Sequence, residues 1–246
     1  MRHTQLVLQQ LAFALVSINA YGQPAFLSSP RDLLATDPRA VVQWLDANPP
    51  KPVPAPDRAV FLGRLPAEGE VVDFDESARR KLDGLTRFLE RTERGSVYEI
   101  KVVDLAFARL ATYERTAILV SQAVLTLLDG EELQALVAHE IGHEYVADDY
   151  NRAFASRDRR RLKDLELLCD AIGTVTLLKL GIDPSRLITA ADRIRRYNLA
   201  KSGSPGDESA YPTLAERRQF ARAVSAWMNT ASGQIAAGRF RPGNWR

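Results

Sequence analysis

The chain has 246 residues, of which 46% are hydrophobic and 26% charged; this is enough to bury one substantial core and excludes collagen, a coiled coil or wholesale disorder. Lys and Arg (33) against Asp and Glu (31) leave a net charge of +2, which gives no compositional case for nucleic acid as a partner. A single Cys rules out an intrachain disulfide framework.

Arg2 and His3 precede an apolar run, residues 11–16 within a weaker 6–20, which gives way to Ser17, Asn19, Ala20 and Gly22. This predicts a secretory signal peptide over residues 1–22, cut after Ala20 or Gly22, and a periplasmic or secreted mature protein. Gln9 and Gln10 interrupt a stretch already short of the ~20 residues a membrane span needs, and no other stretch reaches that length, so no transmembrane span is expected in the mature chain.

Nine of the thirteen prolines fall between Pro24 and Pro66 and set off an N-terminal arm, residues 23–66. Asp37 and Pro38 start a short helix carrying Val41, Val42, Trp44 and Leu45, which Asn48-Pro49-Pro50 stops. Residues 51–56, with Pro at every second position, read as an extended polyproline II spacer with no hydrogen bonds to a core. From residue 73 the pattern turns regular. Ala78, Leu82, Leu85, Phe88 and Leu89 form a helical apolar stripe ending near Arg94-Gly95, and alternation over 97–104 predicts a strand. The β-branched run at 117–121 predicts a second strand. A helix over 130–146 opens on an Asp129–Glu132 capping box, and further helices are expected over 160–180, 184–197 and 213–230. The reading is an α+β fold, mostly helical, with a small sheet before the first long helix; the main domain spans 67–236 and a C-terminal tail 237–246.

Only three His occur, at 3, 139 and 143, and the last two frame His139-Glu140-Ile141-Gly142-His143 inside the helix predicted for 130–146. Spacing four puts both imidazoles on one helical face, where they can reach one metal ion, with Glu140 beside them toward its water. Leu133, Val137 and Ile141 supply the packing face on the back. A catalytic zinc takes three protein ligands and a water, and no His is spare, so the third ligand must be a carboxylate. Glu166 is the candidate. Asp170, one turn on, can orient a ligand His, and Gly173 lies on the same face, where it would let two helices approach.

With Glu131 to Ala138 before it and Glu166-x-x-x-Asp170 after it, the motif resembles the gluzincins of the HtpX and type I CAAX prenyl protease family, over about residues 97–218. Residues 117–121 leading into 122–128 look like that family's strand and turn before the metal helix, and 178–184 like its helix connection. The resemblance implies one Zn2+ per chain on His139, His143 and Glu166, with Glu140 as general base and Asp170 behind the ligands. It departs in two places. Residues 144–165 are too charged to cross a bilayer, so the chain looks like a soluble periplasmic branch. Tyr211 stands where relatives read His before Pro, with Arg217 six residues on; a Tyr hydroxyl can donate to a developing oxyanion and Arg217 can stabilise charge.

The expected activity is a zinc endopeptidase of protein quality control. It would act on unfolded or mislocalised envelope polypeptides, bound as an extended strand at an edge near Ala117–Ser121. The alternative is a catalytically silenced zinc-binding chaperone or adaptor on the same fold. The Arg157 to Lys163 run reads as a solvated helix start, with a peripheral membrane or envelope partner as the sharper reading.

Overall fold

Capping side chains set most of the helix starts. In the computed structural model, which describes residues 24–65, 70–71, 73–202 and 210–234, a 3-10 turn at Ala25–Leu27 leads into α1 (Pro30–Ala35) and α2 (Pro38–Ala47). Ser29 and Asp37 accept the backbone N–H groups of Asp32 and Arg39, and each helix begins with Pro, whose missing N–H would have no helical partner there. Next come α3 (Ala55–Gly63) and α4 (Glu76–Arg91), then β1 (Glu99–Val103), β2 (Leu110–Tyr113) and β3 (Ala117–Ser121). The remainder is helical: α5 (Gln122–Leu127), α6 (Gly130–Tyr145), α7 (Ala147–Ser156), α8 (Arg159–Lys179), α9 (Ser185–Ser202) and α10 (Leu214–Gln234). The α+β reading holds. The signal peptide expected over 1–22 and the tail over 237–246 lie outside the described residues.

The start of α6 follows the capping-box expectation: Asp129 Oδ1 accepts from Glu132 N at 2.9 Å and Glu132 Oε2 from Asp129 N at 2.8 Å. The end of α8 is a Schellman motif. Ile182 N donates to Leu177 O at 2.9 Å and Gly181 N to Leu178 O at 3.2 Å, with Gly181 at φ +71°, a conformation a side chain would strain.

The sheet order corrects one expectation. It runs β1-β3-β2, with β3 parallel to β1 (Glu99 opposite Ala117) and antiparallel to β2 (Leu110 opposite Val120). Ala117–Ser121 is therefore the central strand, with both sides already paired, and cannot receive a peptide; β2 is the edge facing α6. Continuous apolarity is what a strand buried on all sides requires, and position in the sheet is not encoded in it. Residues 122–127, read as a turn, form the short helix α5, capped by the Ser121 hydroxyl.

Two cores flank the α6–α8 pair. In one, Phe88 of α4, Ile118 of β3, Leu133 and Val137 of α6 and Leu187 of α9 are packed together. In the other, Leu33 and Val41 meet Leu165, Leu168 and Ile172 of α8 and Val224 of α10. The N-terminal arm thus fills a core, and the spacer reading of 51–56 is corrected. The chain is irregular only to Pro54 and helical from Ala55, with Pro56 in the first turn. Its carbonyls are bound by the body: Arg94 Nη1 donates to Pro50 O at 2.8 Å, Arg115 Nη2 to Lys51 O at 2.5 Å and Trp227 Nε1 to Thr36 O at 2.8 Å. Arg94 and Arg115 are themselves held by the buried Glu144 carboxylate at 3.8 and 3.6 Å. Polyproline composition removes N–H donors but leaves every carbonyl free to accept, which is how a proline-rich segment docks without a ladder. Among the described residues no helix is long and apolar enough to cross a membrane.

Candidate metal centre

The four-residue spacing on α6 stacks His139 and His143 one turn apart, edge to face, with ring centroids 4.9 Å apart. His139, Glu140 and His143 each bring a donor atom to within 4.8 Å of the others, a group that could hold a metal ion. Glu140 is turned toward the sheet: its Oε2 accepts from Thr112 N at 3.0 Å and lies 3.4 Å from the Thr112 hydroxyl. Edge strand β2 therefore holds this carboxylate.

Glu166 and Asp170 arrive from α8 because two glycines let α6 and α8 touch. A Cβ added at Gly142 would stand 2.9 Å from both Cα and O of Cys169, and one at Gly173 would stand 3.1 Å from His139 N. That approach puts Glu166 Oε2 3.4 Å from His139 Nε2 and Glu166 Oε1 3.8 Å from His143 Nε2. Asp170 Oδ1 lies 2.9 Å from His139 Nδ1, which leaves Nε2 of that ring facing Glu166. Glu166 thus faces both imidazoles, with one oxygen toward each.

The charges are tightly coupled. Burial alone would push the His139 imidazole down, but Asp170 and Glu166 outweigh it and raise the ring to about 10. Burial depresses His143, so that ring stays neutral. Burial would raise the Glu166 carboxyl, yet the His139 hydrogen bond and the His143, His139 and Arg217 charges hold it well below its ordinary value. A raised imidazole stabilises the metal-free fold fully below its ordinary 6.5 and loses that contribution as pH climbs toward about 10. A depressed carboxyl contributes above its ordinary 4.5 and loses its contribution as pH falls. The metal-free protein is thus expected to lose the His139 contribution as pH rises above about 6.5, and to lose stability through the depressed His143 as pH falls below 6.5 and through Glu166 as it falls below 4.5. Urea unfolding with chelator present should therefore show a lower midpoint at pH 9 than at pH 6; a midpoint that rises over that interval would contradict the coupling. Metal binding must release the His139 proton, so affinity should tighten about tenfold per pH unit over the same interval.

Arg217 does not face open solvent. Nη2 donates to Glu166 Oε2 at 3.0 Å and Nη1 to Asp170 Oδ1 at 2.5 Å, so the guanidinium is engaged by the carboxylates behind the imidazoles. Arg217 is therefore paired with two carboxylates of the site. Tyr211 stands at the rim, 45% exposed, with Tyr150 as a hydrogen-bond partner. Burial and then the Glu166 charge raise its phenol, so it keeps its proton at neutral pH and can donate. Cys169 is fully buried, and burial pushes its thiol far up, as suits a small core residue.

Sequence reasoning missed two contributors. Thr112 lies in β2, a four-residue strand too short to show periodicity. Tyr150, on α7, packs edge-on against His143 with centroids 4.9 Å apart, and its hydroxyl donates to Glu166 Oε1 at 2.9 Å. α6 is capped at Val146, between His143 and Tyr150, so no continuous helical spacing linked the two in the sequence.

A helix presenting His-Glu-x-x-His to carboxylates from the next long helix is the architecture of a metallopeptidase site. Residues 75–163 match the family model for peptidase family M48. The matched stretch carries His139, Glu140 and His143; Glu166, Asp170, Tyr211 and Arg217 lie beyond it and join the site through packing. A search of curated proteins finds no match.

Proposed function

We propose that the protein is a zinc-dependent endopeptidase acting on unfolded or mislocalised polypeptides of the cell envelope. The observation that carries this reading is the division of labour between two carboxylates. Glu166 lies against both imidazoles, whereas Glu140 is turned to the edge strand where a peptide would lie. His139, His143 and Glu166 would hold the metal, and Asp170 would keep the Nδ1 proton of His139 in place. Bound zinc supplies Lewis acidity toward the scissile carbonyl and a water acidified to a pKa near 7. Glu140 takes the proton of the attacking water and returns it to the leaving amine. Tyr211 donates from the rim to the developing oxyanion. An extended substrate adds to β2, whose Thr112 N–H is turned toward the site, and main-chain pairing accepts many side chains, as clearance of misfolded protein requires.

Export follows from the expected signal peptide and fits a quality-control role outside the cytoplasm. The test is hydrolysis of unfolded casein by purified protein. Chelation is expected to abolish cleavage, and one equivalent of Zn2+ to restore it. Full metal occupancy with no cleavage of any unfolded substrate would instead establish the silenced binding module.

A further inference from the structure

We propose that Tyr150 is a positioning residue of the metal centre, holding Glu166 in its ligating orientation before the ion arrives. The inference rests on the reading of Glu166 as a ligand and extends it to a residue that no motif marks. Glu reaches a metal through three rotatable bonds, and a carboxylate free to turn would have to be ordered at the moment of binding. Here each oxygen has its own donor. The Tyr150 hydroxyl takes Oε1 at 2.9 Å and Arg217 Nη2 takes Oε2 at 3.0 Å. Tyr150 is only 4% exposed, so its hydrogen bond is shielded from competing water. The same ring walls His143 with an interplanar angle of 84°, so one side chain fixes two of the three proposed ligands.

Tyr150→Phe keeps the ring against His143 and removes only the hydroxyl. The probe is Co2+, titrated into the full-length chain and followed by its visible absorption, with Zn2+ affinity obtained by competition. Removing a group that orients a ligand weakens metal binding by about 10–100-fold, and that loss is expected here with an unchanged far-UV spectrum. Glu166→Ala is the companion. If Tyr150 acts through Glu166, Tyr150→Phe costs nothing further in the Glu166→Ala background, whereas a general structural role would cost the same in both. Wild-type affinity in Tyr150→Phe, equal losses in both backgrounds, or failure of Tyr150→Phe to fold would each overturn the proposal; the last would place the hydroxyl's role in the core. Wild-type affinity in Glu166→Ala would overturn the ligand reading itself and is scored separately.

Discussion

Glu140→Gln is expected to bind metal as the wild type does and to lose casein hydrolysis by about two to four orders of magnitude, the usual worth of a positioned general base. The substitution is nearly isosteric. Glu140 has Thr112 N–H as a donor at 3.0 Å, and an amide oxygen accepts that bond as a carboxylate does, so the β2 contact survives. The proposed ligands, His139, His143 and Glu166, are untouched. What disappears is the ability to take a proton at neutral pH. The measurement pairs metal content with initial rate on the same preparation, so that loss of rate at full occupancy isolates proton transfer from metal binding. A Glu140→Gln protein that cleaves at the wild-type rate would place the base elsewhere or sink the peptidase assignment.

Gly142→Ala should destabilise the fold even though alanine is the better helix former. In mid-helix the exchange gains about 1 kcal/mol of propensity. Against that, the new Cβ would stand 2.9 Å from Cys169 Cα and 2.9 Å from Cys169 O, both backbone atoms of α8 that no rotamer change can move. Overpacking of a close-packed interior costs about 1–3 kcal/mol, and more where backbone must shift, so the clash outweighs the propensity gain. Each net kcal/mol lowers the melting temperature of a chain this size by roughly 2–4 °C. A second effect distinguishes this site from an ordinary core position. Because α6 carries the two His and α8 carries Glu166, separating the helices also spreads the proposed ligands, and Co2+ affinity should fall with stability. Thermal unfolding and metal titration of one variant check both halves; a Gly142→Ala protein that melts higher than the wild type would refute the close-contact account. At Gly173 the added Cβ would meet His139 N at 3.1 Å, a milder contact, so its stability effect should be the smaller of the two.

Docking of the arm changes how its removal must be read. Deleting a covering segment would expose a cleft, but deleting residues that include Leu27, Leu33, Val41 and Leu45 removes one wall of a core. Loss of activity after such a truncation would report unfolding and says nothing about inhibition. The arm can instead be probed at Arg94 and Arg115, the side chains that bind its carbonyls.

What the sequence determined by itself is what short-range geometry controls. Asp129 and Glu132 are three residues apart, and the capping box formed because helix starts are decided by local donors and acceptors. His139 and His143 share a face because 3.6 residues make a turn, and that spacing already located the group that could hold a metal ion. The lack of a spare His called only for some carboxylate, and Glu166 and Asp170 were picked out by their one-turn spacing and the resemblance; that they reach the imidazoles depends on the close approach of α6 and α8 at Gly142 and Gly173. Tertiary structure alone decided the rest. The apolar run of Ala117–Ser121 is consistent with any buried strand, and only the β1-β3-β2 order put it in the middle and made β2 the edge. The proline count marked a segment without N–H donors, but the carbonyl acceptors that dock it answer to Arg94, Arg115 and Trp227, which are 44, 64 and 191 residues from their partners. Tyr150 and Arg217 look like any other helical residues in the sequence. Their bonds to the two oxygens of Glu166 exist because three helices converge there, and convergence of that kind has no local signature.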